Sequence, residues 1–259
     1  MADYVDVSKL SITQIDQMMF FNNANQLEFI LDEIQEVNIQ NGEEKSEITG
    51  KNGRKIGNLK KNKTVTFTAT NGLIVGGALA AQTGGDVEQG TFKVRKTEVV
   101  AVNGNKATIE GTPVGTAGAE LGYVYIKNPN GSQGKAYEQV AESATTGKFT
   151  FSDKQLSFYT GDIADGTEII VIYDAEVTSA KISNDTTKYS KVLKGYVDVT
   201  AQDNCDNVYH GQFIVPRADF SGEFELSMGG DPSTHAIEFE SLAGGCGNSN
   251  NLWDFIVFQ

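Results

Sequence analysis

The chain has 259 residues, 39% of them hydrophobic and 21% charged, with a formal net charge of −13 at pH 7 and a pI near 4.6. That is the composition of a folded protein rather than a disordered one. Its acidity argues against tight phosphate binding, for which Lys and Arg must displace counterions. The 28 glycines against 4 prolines point to an irregular, turn-rich chain of strands.

The opening stretch MADYVDVSKL has neither a basic region nor an apolar run, so no secretory signal is expected. The longest apolar run, Leu73 to Ala81, is too short and Gly-rich to span a bilayer. Two cysteines, Cys205 and Cys246, make no disulfide framework. The expectation is a protein made and folded in the cytosol, without membrane insertion.

Residues 1–24 are weakly patterned and read as an N-terminal arm. From Gln26 to Gln40 the residues Leu27, Ile30, Leu31, Ile34 and Val37 fit a helical stripe. Phe29, Leu31, Val37 and Ile39 fit strands, and strands at both ends are preferred. Asn41-Gly42 marks a turn, and residues 41–63 read as a loop. Lys51, Arg54, Lys55, Lys60, Lys61 and Lys63 lie in it, with no acid between Lys51 and Lys63. Next comes strict alternation, Val65, Phe67 and Ala69 against Thr64, Thr66, Thr68 and Thr70, which predicts a half-buried strand. Asn71 then stands as the N-cap of a short Ala-rich helix ending at Thr83-Gly84-Gly85.

Alternation in 92–102, the turn Asn103-Gly104 and a return through Lys106–Glu110 predict a hairpin. Residues 111–167 are rich in small and turn residues, with strands expected at 121–126 and 149–159. They read either as an insertion or as a continuation of the same sheet system, within a single domain. Ile169–Tyr173 is a continuous apolar run, as in a strand buried on both faces. Antiparallel strands are then expected at about 176–183, 189–201, 208–217, 219–228, 235–243 and 252–258. The fold class is mainly β, a sandwich or barrel-like domain with one or two short flanking helices.

From Gly195 onward there are ten acids and a single base, Arg217. Pairing of 220–228 with 235–243 would crowd Glu223, Glu225, Glu238 and Glu240 on one face, an arrangement unfavourable unless solvated or used. Cys205, His210, His235 and Cys246 are the right ligand types for zinc but not at the close spacings of structural zinc modules. No nucleophile elbow surrounds a serine, and Gly115-Thr116-Ala117-Gly118 lacks the Lys of a phosphate loop. No cofactor and no enzymatic activity are expected. The basic loop reads as a solvated loop, a nucleic-acid contact without interleaved aromatics, or a contact for the acidic part of another copy.

The run from Ile48 to Gly85, together with ADFSGEFELSMGGDPSTHAIEFESLAG and LWDFIVF near the end, resembles the major tail tube proteins of long-tailed, non-contractile bacteriophages. Residues 86–167 are outside the resemblance. It implies a β subunit assembling with other copies of itself into hexameric rings that stack into a tube for DNA ejection. It further implies a loop reaching the next ring at Lys51–Lys63, and an acidic lumen, for which Glu223, Glu225, Glu238 and Glu240 are the candidates. Tape measure, tail terminator and baseplate or tip proteins are the implied partners, double-stranded DNA passes transiently, and the place is the virion tail. The competing reading is a capsid decoration or host-adhesion module with an immunoglobulin-like sandwich.

Overall fold

The computed structural model describes residues 9–226, 234–244 and 250–258. Among these residues are 15 strands and one α-helix, so the protein is mainly β. The chain divides into two compact units, Met1–Glu88 with Ile182–Gln259, and Gln89–Lys181. No linker composition announces either boundary, because each falls at the end of a long strand. These are β5 (Glu88–Ala101) and β11 (Glu168–Lys181). The stretch 111–167 lies wholly inside the second unit.

The first unit is an eight-stranded sheet. Its order is β2 (Leu27–Leu31), β1 (Leu10–Phe21), β12 (Val192–Asp203), β13 (Val208–Phe220), β14 (His235–Ser241), β4 (Lys55–Asn71) and β3 (Ile34–Thr49), with β15 (Asp254–Phe258) beside β13. The two edge strands β2 and β3 are consecutive in the chain, joined by Asp32 and Glu33 alone. The sheet therefore curls toward itself at that end. Phe20, Phe29, Phe67, Phe220 and Phe239 fill the inner face. Phe20 is fully buried, with ring centroids 4.8 Å from Phe29, 5.0 Å from Phe220 and 5.5 Å from Phe239.

The N-terminal arm expected over 1–24 is thus corrected for most of its described length. Leu10–Phe21 pairs with β12 from Leu10↔Asp203 to Phe21↔Lys194. Its period is broken by bulges between Ile12 and Gln14 and between Ile15 and Gln17. A bulge shifts the alternation by one residue, which erases the period-2 signal in sequence.

The helix α1 (Gly76–Thr83) starts later than expected. Its N-cap is Val75 without a side-chain cap, whereas Asn71 ends β4 and donates from Nδ2 to Leu73 O at 2.8 Å. The helix crosses β2 so closely that a Cβ on Gly77 would lie 2.6 Å from Phe29 Cβ. It stops at Gly84, whose φ of +73° is the left-handed conformation that glycine adopts freely. A Cβ there would lie 2.0 Å from Tyr189 O.

The second unit is a seven-stranded sheet. Its order is β5, β11, β7 (Tyr123–Lys127), β8 (Gln133–Gln139), β9 (Lys148–Ser152), β10 (Gln155–Phe158) and β6 (Lys106–Thr108). The reversal at Asn103–Lys106 forms, but β6 pairs with β10 rather than returning along β5. The strand expected over 149–159 is a hairpin, β9 and β10, turned by Asp153 and Lys154 at φ of +50° and +66°. Two-residue turns of this kind require positive φ at both central positions, which Asn-Gly signals and Asp-Lys does not. The runs 169–173 and 176–183 join in the single strand β11. Ile169, Val171 and Tyr173 are buried, while Ile170 and Ile172 are half-buried, so one face dominates rather than two. Glu98 anchors this unit by accepting from Tyr173 Oη, from Glu110 N at 2.8 Å and from Gly111 N at 3.0 Å. Burial, then the Glu98 carboxylate, pushes the Tyr173 hydroxyl up to about 12.

Candidate assembly surfaces

The basic stretch is not a loop. β3 and β4 pair from Ile34↔Asn71 to Thr49↔Lys55, a long hairpin whose tip is a 3₁₀ turn at Lys51–Gly53. Beyond Gly42↔Thr64 it runs as two strands, and every residue from Glu43 to Thr49 is exposed or half-buried. Acids on β3 face bases on β4. Lys60 Nζ and Lys45 Nζ each lie 3.2 Å from Glu43 Oε1, Lys55 Nζ lies 2.5 Å from Glu47 Oε1, and Lys61 Nζ lies 3.9 Å from Glu44 Oε2. The lysines at 45 and 60 hold the Glu43 carboxyl below its ordinary range. The acids lie in the sequence just ahead of the basic run, and cross-strand register brings them together. Lys51, Arg54 and Lys63 form no ion pair among the described residues, so they carry the arm's uncompensated positive charge at its tip and at the irregularity between Gly42↔Thr64 and Glu44↔Lys61.

The two faces of the arm differ. Partners across an antiparallel pair share a face, which places Ile48 with Gly57 and Ser46 with Leu59 on one side. A bulge between Ile48 and Thr49 frees Ile56 from the alternation. Its side chain covers Gly50, where an added Cβ would meet Ile56 Cδ1 at 2.5 Å. Ile48, Ile56 and Leu59 are 48%, 64% and 56% exposed. Lys45, Glu47, Lys55 and Lys60 occupy the opposite side. Alternation in KSEIT and NLK carries this pattern in the sequence, overshadowed by the density of lysines.

The four glutamates are placed by different elements. On β14, Glu238 and Glu240 alternate with buried Ile237 and Phe239 and so face outward, opposite Thr68 and Thr66 of β4. Glu240 also lies opposite Asp219 of β13. Among the described residues, the strand expected over 219–228 does not form beyond Phe220. β13 runs unbroken from Val208 to Phe220, and Ser221 turns the chain, its Oγ accepting from Glu223 N at 3.2 Å. Among the described residues of this segment, Leu226 alone bridges back, to His235. Glu223 and Glu225 are therefore exposed on a connecting segment. With Glu238, Thr68 and Thr70 they line a shallow depression of about 230 Å³, with Glu240 two residues along the strand. Residues 227–233 lie outside the described residues, as does the expected turn at Gly229–Pro232.

The same outward sheet face carries acids that sequence reasoning missed. Asp198 on β12 accepts from Gln17 Nε2 at 2.9 Å and Gln212 Nε2 at 2.7 Å. Asp16 on β1 accepts from Thr200 Oγ1 at 2.9 Å. Amides and hydroxyls orient these carboxylates without cancelling their charge. Asp16, Asp198, Asp219, Glu238 and Glu240 thus cross four neighbouring strands of one face, a pattern only the strand order reveals.

Among the described residues, Cys205, His210 and His235 do not gather into one site. Cys205 is exposed in the turn after β12, and His210 is exposed on β13. His235 is buried on the inner face, its Nε2 donating to Gln82 Oε1 at 2.7 Å. Gln82 Nε2 in turn donates to Ala236 O at 3.1 Å, which aims the amide oxygen at the ring. Burial lowers the His235 pKa. Cys246 lies outside the described residues. No group of three or more metal-ligating side chains gathers among the described residues. Among the described residues no helix is long and apolar enough to cross a membrane.

An open curled sheet, an acidic face without a deep cavity and a projecting two-sided hairpin define a protein built on surfaces rather than around a pocket. In agreement with that class, the chain belongs to the YomU/Tube protein family, whose model matches residues 10–253. The match spans the Ile48–Gly85 and Ala218–Gly244 stretches that resemble tail tube proteins and the second unit between them, and ends within LWDFIVF. No curated protein matches the chain. The family name points to a structural tube protein rather than an enzyme.

Proposed function

We propose that the chain is the subunit of a bacteriophage tail tube. Copies join laterally through the free edges of the first unit's sheet into rings, hexameric by the family resemblance, and the rings stack into a conduit for DNA ejection. The observation that supports this most is the acidic outward face of an open sheet in a chain of the YomU/Tube family. Open edges are templates for pairing with another chain, and a ring consumes them. An acidic wall removes the counterion-release gain that would hold a nucleic acid in place, so DNA slides. In this reading Glu238 and Glu240, with Asp198 and Asp219, line the bore, and Glu223 and Glu225 stand beside it. The β3–β4 arm, with Lys51, Arg54, Lys55, Lys60, Lys61 and Lys63, reaches the next ring. Tape measure, terminator and baseplate or tip proteins meet the ends of the tube, in the virion tail.

Negative-stain electron microscopy of the purified protein across a concentration series tests this. Rings or hollow tubes are expected. Particles that remain single subunits at every concentration and salt overturn the self-assembly reading.

A further inference from the structure

The curled sheet of the first unit leaves a gap on its inner side. A groove of about 490 Å³ runs between β1 and β3, lined by Ile12, Ile15, Val37, Ile39, Val199 and Phe213, with Thr13, Gln14 and Gln35 at its polar points and no charged residue. Its size is that of sites that enclose a compact ligand, about 300–1,000 Å³. Its walls are strand edges. β2 covers β1 only at Met18–Phe21, so Leu10–Gln17 has an open edge among the described residues. β3 ends the sheet and, among the described residues, pairs only with β4. An occupant that is itself an extended β segment with an apolar face can lay its side chains into the groove.

This chain carries such a segment. The projecting half of the β3–β4 hairpin shows Ile48, Ile56 and Leu59 to solvent on one face. An isolated two-stranded hairpin is marginal in water, and an exposed apolar patch on one marks a contact surface. Its lysines at 45, 55, 60 and 61 already have carboxylate partners in the same hairpin, so the charge left to meet another surface is confined to Lys51, Arg54 and Lys63, at the tip and at the irregularity in the pairing. Prong and groove belong to different parts of the first unit, so one copy presents both halves of a head-to-tail contact, the heterologous kind that builds open stacks.

We propose that the apolar face of the hairpin, Ile48, Ile56 and Leu59, inserts into the β1–β3 groove of a second copy, and that this seam rather than the basic side joins successive subunits. The proposal rests on the tail tube reading and adds to it which side of the arm makes contact and where it lands.

The first test uses the full chain with Ile48→Ser, Ile56→Ser and Leu59→Ser combined. All three side chains are exposed, so circular dichroism should match the parent. The concentration needed for assembly should rise roughly a hundredfold, as expected for losing three half-buried aliphatic contacts. Parent assemblies should persist in 1 M salt, where screening acts beyond about 3 Å. The second test mixes two single-cysteine chains, Leu59→Cys and Ile12→Cys, each also carrying Cys205→Ser and Cys246→Ser. Oxidation should give a disulfide dimer in the mixture and in neither chain alone. Assembly of the triple-serine chain at the parent's concentration overturns the proposal. So does a crosslink within one chain carrying both cysteines at dilutions where nothing assembles. Failure of the parent to assemble sinks the tube reading instead.

Discussion

Replacing Phe20 by Ala separates an N-terminal strand from an N-terminal arm. Phe20 is fully buried and its ring contacts three other phenylalanines. Large-to-small changes of a buried Phe cost about 3–5 kcal/mol through lost transfer energy and the cavity left behind. The neighbours are themselves rings on separate strands, β2, β13 and β14, which cannot all collapse into one void. At least the middle of that range, about 4 kcal/mol, is therefore expected. Against a net stability of about 5–15 kcal/mol the variant still folds. The chain has one tryptophan, Trp253, with its ring 5.6 Å from Phe213. Its fluorescence therefore reports on the unit that contains Phe20. With an m-value near 3 kcal/mol per molar in urea, the midpoint should fall by about 1.3 M. A fall below about 0.3 M, with m unchanged, would show that residues 10–21 are not part of this core and would falsify the register with β12.

Stability of the first unit should also depend on pH through His235. Burial lowers its folded-state pKa, so the unfolded chain binds a proton first, near the ordinary value of about 6.5. The stabilisation is full above that value and is lost as pH falls from there toward the folded pKa. The carboxylates whose pKa values are lowered, such as Glu43 and Asp203, lose their contribution only at lower pH, below about 4.5. Urea midpoints read between pH 8 and 5 should decline in the parent and stay level in His235→Gln; equal slopes in the two would remove His235 as the source. Gly84→Ala places a Cβ on Tyr189 O at a positive φ, and should destabilise by more than the ~1 kcal/mol that a φ change alone costs. A thermal midpoint within a degree of the parent would mean that the helix end relaxes freely.

The local pattern was enough for the class of fold and for much of its inner face. Val65, Phe67 and Ala69 alternate with threonines and are buried as their period requires, and Ile237 and Phe239 do the same against Glu238 and Glu240. These are properties of one strand with one wet face, and a period of two records them without reference to any partner. The C-terminal end of the helix was legible because Gly84 meets a local backbone requirement.

Other features depend on which strands lie side by side, and composition holds no record of that. Bulges at Ile12–Gln14 and Ile15–Gln17 scrambled the alternation of β1, so the strand carrying Phe20 read as an arm. Strand pairing brought Glu43, Glu44 and Glu47 within reach of Lys60, Lys61 and Lys55 of β4, so a run that is purely basic in sequence is partly compensated in space. The sheet order aligned Asp16, Asp198, Asp219, Glu238 and Glu240 from four separate segments into one acidic face. The same order left β1 and β3 apart, opening the apolar groove between them. Sequence determines a residue's side of its own strand, because alternation is local. Only the tertiary structure decides which charges meet and which edges stay open, because those depend on pairings up to about two hundred positions apart, such as Leu10↔Asp203.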